Sequence, residues 1–299
     1  MDTSSTSGIA TDVVVGVDGS EGGYHAMAWA AGQAARLSAR LVVLHAYETT
    51  LGLGTMAVAA GTPDPRTAAD ALLARAQARL ERAARVAAPA SDRADVGCAS
   101  VRGDASAVLV HQARRGAVVV VGRRGVGTFD RVLMGSVSSS VAALAPGTVV
   151  VVPRAARVLD PRRVVVAVDP RDPSDRVLET GFVEAERLGA PLVAAHSVDE
   201  GLFAGATGGD LAWLERLRAE ARADLEGQVA RWGEKYPAVR WSLETRGGPA
   251  PGSLLSLLRS DDLVVTGGHE QARRVGRVRG SVPDRLVRHA PCAVTVVHH

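Results

Sequence analysis

Gly122, Gly125, Gly127, Gly135 and Ser136 lie between the four-valine run 118–121 and the pair Val137-Ser138. Two residues separate the first two glycines, and nine separate Gly125 from Gly135-Ser136. Glycine lets the main chain take positive φ and approach a bound group closely. A serine that opens a helix sets unpaired N–H groups and the positive end of the helix dipole toward an anion. The spacing therefore predicts a main-chain cradle for phosphate, and the chemistry expected of the chain is nucleotide binding. Arg123 and Arg124 fall inside the cradle, where guanidinium groups can pair with phosphate oxygens.

Residue types exclude two other phosphate sites. A Walker loop needs Gly-Lys-Ser/Thr, and the one lysine of the chain, Lys235, precedes Tyr236. A dinucleotide site needs Gly-x-Gly-x-x-Gly and an acidic residue beyond it to hold a ribose, and neither is in place. No Ser-His-Asp order, acid pair or metal-binding cluster stands out, so the chain reads as no enzyme or at most a weak ATPase. Asp130 reads as an exposed loop carboxylate. His45 and His196 read as hydrogen-bonded strand-end histidines, and His298-His299 as a frayed end without a metal pattern.

The elements that must position the cradle follow from periodicity. Short β-branched runs alternate with longer Ala/Leu/Arg segments, as in strands joined by crossover helices. Strands are expected near 13–17, 40–45, 96–101, 117–121 and 147–152, with helices near 22–38, 66–87, 104–115 and 136–145. The pattern then repeats. Val13-Val-Val-Gly-Val-Asp18 returns 151 positions later as Val164-Val-Val-Ala-Val-Asp169, and Leu41-Val-Val-Leu-His45-Ala46 as Leu192-Val-Ala-Ala-His196-Ser197. Strands near 164–168, 191–196, 238–245, 262–266 and 292–298 and helices near 174–188, 209–235, 251–259 and 281–289 make a second half. Ordered matches indicate duplication, giving domains 1–155 and 156–299 joined by a short proline-bracketed linker. The valine-rich last strands can pair the two halves about a pseudo-two-fold axis, and edge strands invite a further homodimer. Gly-rich loops 49–65 and 199–209 are candidate lids.

Composition fits that architecture. Hydrophobic residues make up 46% but aromatics 3%, so the cores must be built from Val, Leu and Ala, which suits strands buried on both faces. The formal charge of +3 is small and interspersed, so a nucleic-acid partner is not implied; the isoelectric point of 9.3 reflects arginines that never deprotonate. No basic start with an apolar stretch opens the chain and no 18-residue uncharged apolar segment occurs, so a cytoplasmic protein without membrane insertion is expected. Cys98 and Cys292 make neither a disulfide framework nor a zinc site and read as small buried hydrophobes.

The segment Val-Val-Val-Gly-Val-Asp-Gly-Ser at 13–20, the Gly122/Gly125/Gly135-Ser136 spacing and Val137-Ser138 before the closing Val-Val-Val-Pro resemble the universal stress protein family in its tandem two-domain form. That resemblance implies two doubly wound α/β domains, each a five-stranded parallel sheet of order 3-2-1-4-5 with helices on both faces, and ATP where strands 1 and 4 part. It implies that Asp18 contacts the nucleoside and that the main chain of Ala46 holds the adenine. Gly122, Gly125, Gly127, Gly135, Ser136, Val137 and Ser138 would hold the phosphates. Magnesium is expected to accompany them, held mainly by phosphate and water.

The second half departs from the pattern. With Gly280-Ser281 placed on Gly135-Ser136, Gly267 matches Gly122 but Glu270 stands where Gly125 does, and Pro170, Pro173 and Pro283 have no counterparts. Asp169, Ser197, Gly267, Gly280 and Ser281 form a candidate second site, open between a vestige, a pocket for a less charged ligand and a second ATP site through Arg273 and Arg274.

The leading expectation is a nucleotide-dependent regulator of a stress response, in which ATP or a relative such as ADP or cyclic AMP orders the glycine loop for a protein partner. The alternatives are a nucleotide-dependent ligase or pyrophosphatase and a nucleotide-free dimerisation module.

Overall fold

The computed structural model describes residues 12–49, 64–87, 95–123, 134–157, 161–169, 175–199, 211–268 and 281–298. The two candidate lids, the core of the glycine loop with Arg124, Gly125, Gly127 and Asp130, and the second loop with Glu270, Arg273, Arg274 and Gly280 lie almost wholly outside them.

In the first half β1 (Val13–Gly16), β2 (Leu41–Tyr47), β3 (Val96–Arg102), β4 (Val118–Gly122) and β5 (Thr148–Val152) alternate with α1 (Glu21–Leu37), α2 (Pro65–Ala87), α3 (Ala105–Arg114) and α4 (Ser136–Leu144). The second half repeats this with β6 (Arg163–Ala167), β7 (Leu192–Val198), β8 (Trp241–Gly247), β9 (Asp262–Gly267) and β10 (Ala293–Val297). Its helices are α5 (Asp175–Leu188), α6 (Leu211–Lys235), α7 (Ala250–Leu257) and α8 (Val282–His289).

The ten strands form one sheet in the order β3-β2-β1-β4-β5-β10-β9-β6-β7-β8, so each half has the 3-2-1-4-5 order. Pairing is parallel within each half and antiparallel at the centre, where Val294 faces Val151 and Val296 faces Val149. Successive strand residues point to opposite faces, and the valine runs therefore feed two cores at once. Val13, Val15, Val120 and Val150 pack beneath α1 and α2, continuous with Phe182 of α5 and Leu225 of α6. Val14, Val119, Val121, Val149 and Val151 pack beneath α3 and α4, continuous with Leu286 of α8. Strands covered on both faces have no polar side to offer, hence the unbroken valines.

The joint between the halves is tied beyond the sheet. The Nε2–H of His25 donates to Ala156 O in the connecting segment at 2.8 Å, and Ala156 is itself buried. His298 belongs to this joint as well. Expected at a frayed end, it is buried, with its N–H on Gly147 O at 2.8 Å and its Nε2–H on Ala142 O of α4 at 2.9 Å. A carbonyl in the last turn of another half's helix gives the imidazole a partner that the sequence of its own half does not contain.

Candidate functional site

Strands β1 and β4 lie side by side, but β1 leads on toward β2 and β4 toward β5. Their carboxyl ends therefore open a crevice, the position where ligands of open α/β sheets bind. Three segments border it: the β1–α1 turn, the end of β2, and the junction of β4 with α4.

The β1–α1 turn is stitched by Asp18. Its Oδ1 accepts from Ser20 N at 3.0 Å and from Ser20 Oγ at 2.6 Å, and Ser20 Oγ accepts from Gly23 N at 3.0 Å as the N-cap of α1. Gly19 takes φ +82°, which a side chain would resist. Asp18 remains exposed at the strand end. Ser20, which the sequence did not single out as a site residue, orients this carboxylate; the Asp-Gly-Ser turn was its signal.

At the end of β2, Val17 N donates to Leu44 O at 2.9 Å. Main-chain groups alternate sides along a strand, so those of Ala46 face the same side as those of Leu44, beyond the point where β1 has turned away. His45 holds the two strand ends together, its Nδ1–H donating to Val17 O at 2.7 Å. His196 does the same with Val168 O at 2.9 Å. Both are structural donors, as expected of them.

At the third border Gly122 ends β4. A Cβ there would lie 2.8 Å from Gly22 O and 2.9 Å from Gly22 C, so glycine is required because two backbones touch, independently of any ligand. The first turn of α1, Gly22-Gly23, supplies the other half of that contact. The loop that follows is pinned at both ends: Gly135 N donates to Arg123 O at 3.0 Å, and Ser138 Oγ sits 3.0 Å from Arg123 O and 3.1 Å from Gly135 O.

Three expectations are corrected here. The N-cap of α4 is Gly135, without a side-chain cap, and Ser136 is the exposed first helical residue. Ser138 is 3% exposed and its hydroxyl is bonded to Arg123 O and Gly135 O, so the hydroxyl does not face a ligand and only the main chain of Ser138 remains available to one. The Arg123 guanidinium leaves the crevice and donates from Nη1 to Ala290 O, the C-cap residue of α8, at 2.6 Å. What α4 offers at its start is main chain: the first-turn N–H groups of Ser136, Val137 and Ser138, which an α-helix cannot satisfy internally. The Val137 side chain packs into the core below.

A separate cleft of about 430 Å³ lies between α1 and α2, lined among others by Glu21, Tyr24, His25, Arg79 and Leu80, and shares no residue with the crevice. Arg79 is committed there, 2.9 Å from Glu21 and over the Tyr24 ring at 4.1 Å. Its hydrogen bond and charge hold the Glu21 carboxyl below the usual range. Among the described residues no group of three His, Cys, Asp or Glu could hold a metal ion, and no helix is long and apolar enough to cross a membrane.

The model of the universal stress protein family matches residues 10–153 and again 161–298. The chain belongs to the universal stress protein family. A universal stress protein of Mycolicibacterium smegmatis is 30% identical over 293 residues, spanning 95% of this chain and 96% of that one. Another, from Mycobacterium tuberculosis, is 31% identical over 299 residues, spanning 95% and 94%. The crystal structure of a universal stress protein from Archaeoglobus fulgidus shares the fold, with a TM-score of 0.63 over 97% of this chain and 99% of that chain at 18% identity.

In this tandem universal stress protein the second crevice is built differently. Asp169 is exposed at the end of β6, but Ser197 is 9% exposed and its hydroxyl donates to Gly248 O at 2.7 Å, away from a ligand role. A Cβ on Gly267 would meet a Val177 methyl at 3.2 Å, not backbone. Gly268, in the place of Arg123, lies against the His298 ring. Ser281 is a true N-cap, its Oγ accepting from Asp284 N at 3.4 Å. The first turn of α8 also contains Pro283, which has no N–H, and Asp284, whose Oδ1 pairs with Arg288 at 2.7 Å.

Proposed function

We propose that the first half binds ATP in the crevice between β1 and β4 and that the protein is a cytoplasmic, nucleotide-dependent regulator with slow or no ATP hydrolysis. The observation that carries this reading is the uncapped first turn of α4, fixed by Gly135 and Ser138 to the end of β4, with neither an acid nor a proline in it. Backbone N–H groups and the helix dipole there suit phosphate oxygens, Asp18 suits ribose hydroxyls, and the main chain of Ala46 suits an adenine edge. Magnesium carried by the triphosphate would be held by phosphate and water, Asp18 being at the nucleoside end.

In the second half the corresponding donors are reduced by Pro283 and by the Ser281 cap, and Asp284 supplies an anion of its own. The reading is therefore one ATP per chain. Assembly of two chains is part of the same proposal, through the outer edges β3 and β8, which among the described residues have a strand neighbour on one side only. A regulatory protein would then read the state of the glycine loop.

Titration calorimetry with ATP on the wild type and Ser136→Asp tests the site. An aspartate in the first helical turn favours the helix while competing with phosphate. The expected result is one site per chain in the wild type and at least a tenfold weaker one in the variant, with no loss of melting temperature. Wild-type protein that takes up no adenine nucleotide, or Ser136→Asp protein that binds it undiminished, would end the proposal. Pyrophosphate release in the presence of an acceptor would favour the ligase alternative.

A further inference from the structure

Gln33 on α1 and Glu184 on α5 are 151 residues apart, the separation that carries Val13 onto Val164. Each is the other's counterpart in the repeat. Across a two-fold axis a residue meets its own copy, and these two meet: Gln33 Nε2 donates to both carboxylate oxygens of Glu184, each at 3.0 Å. They are 4% and 8% exposed. Arg36 and Arg187, related by the same separation, close the ends of the row. Arg36 Nη2 donates to Gln33 Oε1 at 3.0 Å, and Arg187 Nη1 lies 3.7 Å from Glu184 Oε1.

We propose that this unlike pair is the element that makes a second half accept a first half and refuse its own kind. The strands do not make that choice. β5 reads Thr-Val-Val-Val-Val and β10 Ala-Val-Thr-Val-Val, and apolar edges of that kind can pair with either copy. Joining two second halves from different chains would set two buried Glu184 carboxylates face to face with no donor between them. A carboxylate is acceptor-only, and like charges in a buried site repel strongly. An amide against the carboxylate supplies the missing donor. The consequence is assembly control, because like-with-like pairing across chains leaves a free edge at each end and grows open-ended chains, whereas unlike pairing within a chain closes.

Refolding from denaturant at several protein concentrations, followed by light scattering, tests this on the full chain. Wild-type protein should return to its native mass at every concentration. Glu184→Gln, which makes all three pairings amide to amide, should add a population above the native mass that grows with concentration. The exchanged variant Gln33→Glu with Glu184→Gln restores an unlike pair and should behave as wild type. Gln33→Glu alone, carboxylate against carboxylate, should lower Tm by about 5 °C, and the exchange should recover it. The proposal is overturned if wild type itself gains larger species, if Glu184→Gln refolds as wild type does, or if the exchange recovers neither mass nor Tm.

Discussion

Arg123 and Ala290 meet across the two halves, the guanidinium Nη1 donating to the carbonyl at 2.6 Å. One residue belongs to the end of β4, where its own carbonyl anchors the glycine loop, and the other is the C-cap of α8. The contact has a partner of similar design in His298, whose ring donates to Ala142 O near the end of α4. Each half thus steadies the last helix of the other, and a cation at a helix C-terminus also suits the dipole. Arg123→Ala should cost about 1.5–3 kcal/mol of stability, the range for a hydrogen bond to a charged group. Its effect on ATP affinity should be smaller than that of Ser136→Asp. Denaturant unfolding set beside calorimetry separates this from a phosphate-binding role, which would reverse the two magnitudes.

Gly122 makes the opposite point about a residue that looks like a ligand site. An added methyl would lie 2.8 Å from Gly22 O, and backbone cannot yield as a side-chain tip does. Gly122→Ala should therefore destabilise the protein by about 1–3 kcal/mol, as overpacking does. The deficit should appear in melts without nucleotide. A Gly122→Ala protein as stable as wild type, but unable to bind ATP, would show that ligand contact and not packing selects glycine here.

The central strands were legible because valine runs buried on both faces leave a pattern that nothing else in the chain imitates, whereas the edge strands β3 and β8 have no such run and are partly exposed. The repeat likewise pointed to the valine-rich last strands, 149–152 and 294–297, as the pair that can join the halves, and there Val151 meets Val294 and Val149 meets Val296. What stayed illegible were side chains whose partners come from the other half or from a loop closing on itself. Arg123 and Arg124 look alike in sequence, yet the Arg123 side chain is drawn to Ala290 by the docking of the halves. Ser136 looks like a cap, but the bond from Gly135 N to Arg123 O places the helix start one residue earlier than serine propensity would. Ser138 and Ser197 look like ligand hydroxyls and instead satisfy partly buried main-chain carbonyls, a demand set by packing.

Cys292 and Cys98 part in the same way, one buried and one exposed on the edge strand β3. Burial pushes the Cys292 thiol from 9.0 up to about 12. A folded-state pKa above the unfolded value means the unfolded chain loses its proton first as pH rises. The stability linked to this thiol is then fully present below pH 9.0 and declines through the interval up to about 12. At about pH 10, roughly tenfold past the point where the unfolded thiol is half ionised, the loss should reach about 1.4 kcal/mol. Cys292→Ala removes the titration, so the fall in stability between about pH 8 and about pH 10 should be shallower than in wild type by that amount, whatever the variant loses in packing. Equal slopes for the two proteins would mean that the thiol meets water in the folded state.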